Sequence, residues 1–211
     1  MQLPVMGYIA SFSTFVPAIT GIVRYKGMDK SMKLFTTFAV FGVVSISLEY
    51  LLALTGSINY VLSDIYFLVQ VPLFGLIYYS SIPAKAVRSI LTAGAFLFVV
   101  VWLIIEVFFR SPDRLSSVLA MIAAIFLVVM SSLTLHAVIK SSTTRLSEIP
   151  MFWILTGTIL YSAGSFAVMG LSNELLSAGL VYFIIGWHIN WALYTVSMLM
   201  YAKGLLCKSV A

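Results

Sequence analysis

The stretch Gly186-Trp187-His188-Ile189-Asn190-Trp191-Ala192-Leu193-Tyr194 lies in the middle of an apolar run from about Leu175 to Tyr201. A helix of about 20 apolar residues crosses a bilayer. Polar side chains at the centre of such a run are costly in lipid unless something faces them. They mark a helix–helix interface or a functional pathway. Outward from this run the same pattern repeats. Six more apolar runs, at about 3–23, 32–54, 60–79, 87–109, 115–139 and 149–171, precede the last at 175–201. None alternates with period two, so a closed barrel is excluded. The fold expected is an all-α bundle of seven transmembrane helices forming one domain over 1–211.

Composition agrees. Of 211 residues, 62% are hydrophobic and 9% charged, whereas soluble domains carry roughly 25% charged residues. The formal net charge of +5 is scattered among short connections, so it does not point to nucleic acid. One cysteine, Cys207, excludes an intramolecular disulfide. The N-terminus lacks a basic n-region, and the first run is expected to be retained, kinked at Pro17.

Lys and Arg gather in alternate connections. Arg24, Lys26, Lys30 and Lys33 follow run one, Lys85 and Arg88 run three, Lys140 and Arg145 run five, and Lys203 and Lys208 run seven. The opposite side holds only Arg110 and Arg114. By the positive-inside rule the N-terminus is outside and the C-terminus cytoplasmic.

That orientation places Glu49, Asp64 and Glu106 in the outer half, on three different runs, with His188 nearer the middle. Ionisable residues inside a span are a functional site by default, although Glu49 and Glu106 are shallow enough to be solvated helix ends. On run seven Trp187, Asn190 and Tyr194 share one face, and His188, Trp191 and Thr195 form a second stripe about 200° away. Two stripes imply a helix surrounded by protein. On run six Trp153, Gly157, Tyr161 and Gly164 form a stripe that reads as packing first and pocket second. Gln70 precedes Pro72, whose missing N–H frees a carbonyl of the kind that lines cavities. The expected ligand-binding set is therefore Glu49, Asp64, Gln70, Glu106, Tyr161, Trp187, His188, Asn190 and Tyr194. For His188 a neutral imidazole bonded to a neighbouring helix competes with a ligand role. Cys207 is expected as a reduced thiol just inside the membrane, its pKa lowered somewhat by Lys203 and Lys208.

Several chemistries lack their residues. There is no Lys at the centre of run seven for a retinal Schiff base, and two His, His136 and His188, sit at different depths, short of a three-ligand zinc site. No cofactor, no metal and no enzymatic activity are expected.

The last third carries a resemblance. Pro150-Met151-Phe152-Trp153-Ile154-Leu155-Thr156-Gly157, then Tyr161-Ser162-Ala163-Gly164-Ser165-Phe166, then Leu171-Ser172-Asn173-Glu174, followed by His188, Asn190 and Tyr194, resembles small seven-span inner-membrane proteins of Bacteroidetes-type bacteria. These are similar to the membrane sensor modules of histidine kinases. The resemblance implies a bacterial inner membrane and a signalling role. The function expected is a non-enzymatic sensor that binds a small or lipid-like ligand in the outer half. It would act through a separate membrane or cytoplasmic partner or a homo-oligomer, with membrane lipid around it. A small-solute or proton-coupled transporter and a structural subunit of a membrane complex are the alternatives.

Overall fold

The computed structural model describes residues 4–54, 60–82, 84–108 and 117–207. Arg110, Arg114 and Lys208 of the charge pattern lie outside the described residues. The described residues are almost entirely helical, with no strand among them. The helices are α1 (Val5–Ser13), α2 (Phe15–Arg24), α3 (Lys30–Leu54), α4 (Tyr60–Ser81), α5 (Lys85–Phe108), α6 (Ser117–Ser141), α7 (Pro150–Gly170), α8 (Ser172–Ala178) and α9 (Leu180–Leu206). Six helical stretches are long and apolar enough to cross a membrane: α1 with α2, then α3, α5, α6, α7 and α9. The chain is a multi-pass helical membrane protein. Its outward faces agree: Phe96, Val107 and Phe108 on α5 and Leu180 and Val181 on α9 are each more than 60% exposed, an apolar surface of the kind that faces lipid.

The expected first run is not one helix. It breaks at Thr14, three residues before Pro17. Proline has no N–H for the carbonyl four residues back, and its ring crowds that turn. The chain restarts there, with Pro17 in the first turn of α2. The last run is corrected at both ends. Residues 172–178 form the separate short helix α8, Gly179 takes φ 136°, and α9 extends to Leu206. That left-handed φ suits glycine alone. The Gly179 N–H donates to Leu175 O and Leu176 O, and Gly179 O accepts from Tyr182 and Phe183, closing one helix while opening the next.

Local signals fix other ends. Asp29 Oδ1 accepts from the Met32 N–H and from Ser31 Oγ at 2.8 Å each, an N-cap for α3. Pro150 opens α7 at a position where its missing N–H costs nothing. At the other end of the bundle the Arg24 guanidinium donates to Leu205 O at 3.0 Å, to Leu206 O, and to Cys207 O at 3.3 Å. It thereby covers carbonyls that the last turn of α9 leaves without helical partners.

The core is aromatic. Phe35 of α3, Phe74 and Tyr78 of α4 and Tyr201 of α9 are buried together, with Phe35 edge-on to both Phe74 and Tyr201. Hydroxyl pairs join the helices: Tyr78 with Ser131 at 2.7 Å, Tyr201 with Thr158 at 3.0 Å, Tyr194 with Thr14 at 3.0 Å. Ser197 Oγ donates to Gly157 O across the α7–α9 seam at 2.9 Å. Many other hydroxyls turn back on their own helix: Thr36, Thr134, Thr156 and Thr195 each donate to the carbonyl four residues earlier. Among the described residues, no buried side-chain polar atom lacks a partner.

Candidate functional site

The seam between α7 and α9 is close because glycines permit it. At Gly157 a Cβ would meet the Tyr201 ring at 2.9 Å, and at Gly164 it would meet Leu193 Cδ1 at 2.1 Å. The run-six stripe therefore does pack against the last helix. Above Tyr201 the bundle opens. A cavity of about 370 Å³ lies between α1, α3, α4, α7 and α9, within the 300–1,000 Å³ of small-molecule sites.

Six of the nine expected residues line it: Glu49, Gln70, Tyr161, Trp187, Asn190 and Tyr194. Helical geometry explains the convergence. Trp187, Asn190 and Tyr194 recur at i, i+3 and i+7 on α9, one face, which borders the cavity beside α7. Tyr161 of α7 meets Tyr194 edge-on at 5.1 Å between ring centroids. Asn190, 4% exposed, accepts at Oδ1 from Ser165 Oγ of α7 at 2.8 Å. Its Nδ2 has no partner among the described residues, and the side chain borders the cavity. Gln70, 6% exposed, likewise borders the cavity with no hydrogen-bond partner among the described residues. Since no buried polar atom is left unsatisfied, the open ends of both amides reach cavity space rather than packed protein. Glu49 is half-buried at the rim, near the end of α3.

The other three expected residues lie elsewhere. Asp64 is 5% exposed, and its backbone carbonyl accepts from Trp102 Nε1 of α5 at 3.2 Å. Asp64 and Gln70 stand about 120° apart around α4, so the face that turns Gln70 to the cavity does not carry Asp64. Glu106 is half-buried on α5, a helix that contributes nothing to the lining. His188 is not at the cavity either. Its Nδ1 lies 2.7 Å from Ile184 O of its own helix, and its ring stands edge-on to Trp191 at 5.4 Å. Asn190 and His188 differ by about 200°, so the cavity can take only one of them. Nor is α9 enclosed on all sides. Ile185, Ile189, Val196 and Leu199 form an exposed apolar strip beside His188. Of the three acids only Glu49 lines the cavity, and among the described residues no His/Cys/Asp/Glu group is placed to hold a metal.

The lining also holds residues outside the expected set. Tyr66, Trp191, Tyr201 and Ser45 border the cavity, with Ser11 at the rim. Tyr66 was detectable as the i−4 neighbour of Gln70 on the same face. Trp191 lies between the two α9 stripes and belongs to both. Tyr50 donates to Ser11 at 3.2 Å and ties α1 to α3 beside the opening.

Cys207 sits beyond the end of α9, donating to Lys203 O at 3.4 Å and Ser147 O at 3.7 Å. Burial pushes its thiol pKa up, against the downward pull of Lys203 and Arg24. Desolvation outweighs the basic neighbours.

No protein-family model, no curated protein and no solved structure matches this chain.

Proposed function

We propose that the chain is a seven-span, non-enzymatic sensor of the bacterial inner membrane. It binds a small ligand in the outer half of the bundle and passes occupancy to a separate partner. One observation carries this reading: the two buried amides of Gln70 and Asn190 border one cavity with open hydrogen-bonding ends. Water in the cavity can satisfy these ends, and a ligand with matching polar groups would take its place. Amides held so invite a ligand that completes them. The cavity touches α1, α3, α4, α7 and α9. A ligand with different contacts in two helix arrangements would shift the balance between them, and α9 carries the shift to the cytoplasmic end. The resemblance of the last third to sensor modules supports signalling over a purely structural role.

The seventh span is α4, which has 22 residues and Pro72 inside. The distribution of Lys and Arg supports an outer N-terminus and a cytoplasmic C-terminus. A reporter fused after Ala211 should be active only as a cytoplasmic fusion, and a tag before Met1 should be labelled from the periplasmic side. Labelling of that tag only after the inner membrane is permeabilised would reverse the topology.

A small-solute carrier is the second reading. The break at Thr14 beside the cavity favours it, because carriers bind solutes at interrupted spans. The test of both is a thermal-shift screen of the purified protein with small amphiphiles, followed by uptake into proteoliposomes. At 100 times its Kd a ligand adds about 2.7 kcal/mol of stability. Gln70→Leu and Asn190→Leu should each lose at least about tenfold in affinity while remaining folded, since an interhelical hydrogen bond in a membrane averages about 0.6 kcal/mol. Ligand-dependent flux would favour the carrier. If both variants bind like the wild type, the cavity is not the site.

A further inference from the structure

Ser45 of α3 narrows the chemistry of the ligand. It borders the cavity, is 4% exposed, and makes no hydrogen bond with any described residue. Two residues further on, the exposed Ser47 behaves differently: its Oγ donates to Val43 O of the same helix at 2.8 Å. A hydroxyl that faces outward masks itself on its own backbone in this way, and Ser45 does not. Since no enclosed side-chain polar atom among the described residues is left without a partner, Ser45 Oγ opens onto cavity space, as the two amides do. Three helices, α3, α4 and α9, thus each present one neutral polar side chain to the cavity: Ser45, Gln70 and Asn190, none more than 6% exposed. Among the described residues no Lys, Arg or His borders the cavity. Glu49, the one acid of the lining, stands at the rim with an interaction of its own. Phe38, Ile46, Phe67 and Met169 supply apolar wall.

We propose that the ligand is an uncharged molecule, a hydroxyl or carboxamide head on an apolar body, whose head sits at Ser45, Gln70 and Asn190. The inference rests on the binding reading above. Two other ligand classes fit less well. A charged head at these three side chains would lose its hydration and meet only neutral partners. A purely apolar molecule would displace water from three polar groups and return no hydrogen bond to them. The serine hydroxyl and the glutamine amide each donate and accept. A hydroxyl or carboxamide does the same, and so replaces cavity water bond for bond. The apolar body fills the remaining space, the usual division of labour in a small-molecule site.

The test uses the full chain in detergent, with binding read by thermal shift against probe concentration. The probes are 3-phenylpropanamide, 3-phenylpropan-1-ol, propylbenzene, 3-phenylpropylammonium and 3-phenylpropanoate. They share one apolar body, and their heads are neutral and polar, absent, cationic or anionic. The amide or the alcohol should bind about tenfold or more tighter than propylbenzene, the effect of two hydrogen bonds of ordinary net strength. Both charged probes should bind more weakly than the amide. Ser45→Ala removes a hydroxyl that holds no described protein group, so it should fold as the wild type does. It should weaken the amide and the alcohol at least about threefold and leave propylbenzene unchanged, the loss of one such bond. Comparison in the same detergent cancels partition of the probes into micelles. Gln70→Leu is the second variant, with the same expected selectivity. Propylbenzene binding as tightly as the amide and the alcohol, or either charged probe binding tighter than both, would overturn the ligand class and leave the cavity reading standing. So would Ser45→Ala and Gln70→Leu binding all five probes like the wild type in the absence of any preference for a polar head. No binding of any probe, with wild-type protein folded, would count against both.

Discussion

Gly204→Ala is expected to destabilise the purified protein by about 1–3 kcal/mol, the range for inserting a methyl where nothing yields. For a chain of this length that lowers the melting temperature by roughly 2–4 °C per kcal/mol. A Cβ at Gly204 would lie 2.8 Å from Pro150 O, a backbone atom, with Ile154 Cγ1 at 3.2 Å and Trp153 Cβ at 3.3 Å. Pro150 is the first residue of α7, and the last turn of α9 lies against it. To make room, one helix end must move away from the other, and Leu205, 1% exposed, moves with it. The control is Gly164→Ala. Its Cβ would come nominally closer to a neighbour, 2.1 Å, but that neighbour is the Cδ1 at the end of a Leu193 side chain. A rotamer change relieves it, so this variant should lose less than Gly204→Ala. Melting curves of the two variants in the same detergent decide the matter. A larger loss for Gly164→Ala would show that distance, rather than the give of the neighbouring atom, sets the cost.

Arg24→Ala should cost about 2 kcal/mol, the scale of hydrogen bonds to a charged group. It should also speed amide exchange in the last turn of α9. The guanidinium binds three successive carbonyls, Leu205, Leu206 and Cys207, where the helix end carries its partial negative charge. Without it those carbonyls must find water or lipid headgroups, and the contact between α2 and α9 loosens at that end of the bundle. Arg24→Lys should recover only part of the loss, since an ammonium cannot span three acceptors in a fixed fork. Unchanged exchange and a melting temperature equal to the wild type in Arg24→Ala would mean that the contact contributes nothing.

The runs of apolar sequence were sufficient to locate the helices, because hydrophobic length is set by the bilayer and leaves its mark in composition. Rotation about the axis was harder. On α9 the spacing of Trp187, Asn190 and Tyr194 defined a face, and that face borders the cavity. On α4 and α5 single acids in apolar surroundings gave no second residue to fix a direction, and Asp64 and Glu106 turned elsewhere. The division at Gly179 was concealed for a related reason. Leu175, Leu176 and Ala178 are apolar, so hydropathy continued across a backbone break that only one φ angle creates. Tyr66 and Trp191 passed unnoticed because an aromatic residue in an apolar run looks like core until the space beside it is known.

The hydroxyls that bond back to their own helix bear on how the bundle is made. Thr36, Thr134, Thr156 and Thr195 carry their acceptor with them, so a helix can leave the insertion machinery with these groups already masked. Gln70 and Asn190 cannot mask themselves in this way, and Ser165, which donates to Asn190, arrives on α7. Synthesis proceeds from the N-terminus, so α7 is already made when α9 emerges and Asn190 meets a waiting neighbour. Gln70 on α4 emerges before both, and stays without its cavity walls until the last helix closes the bundle.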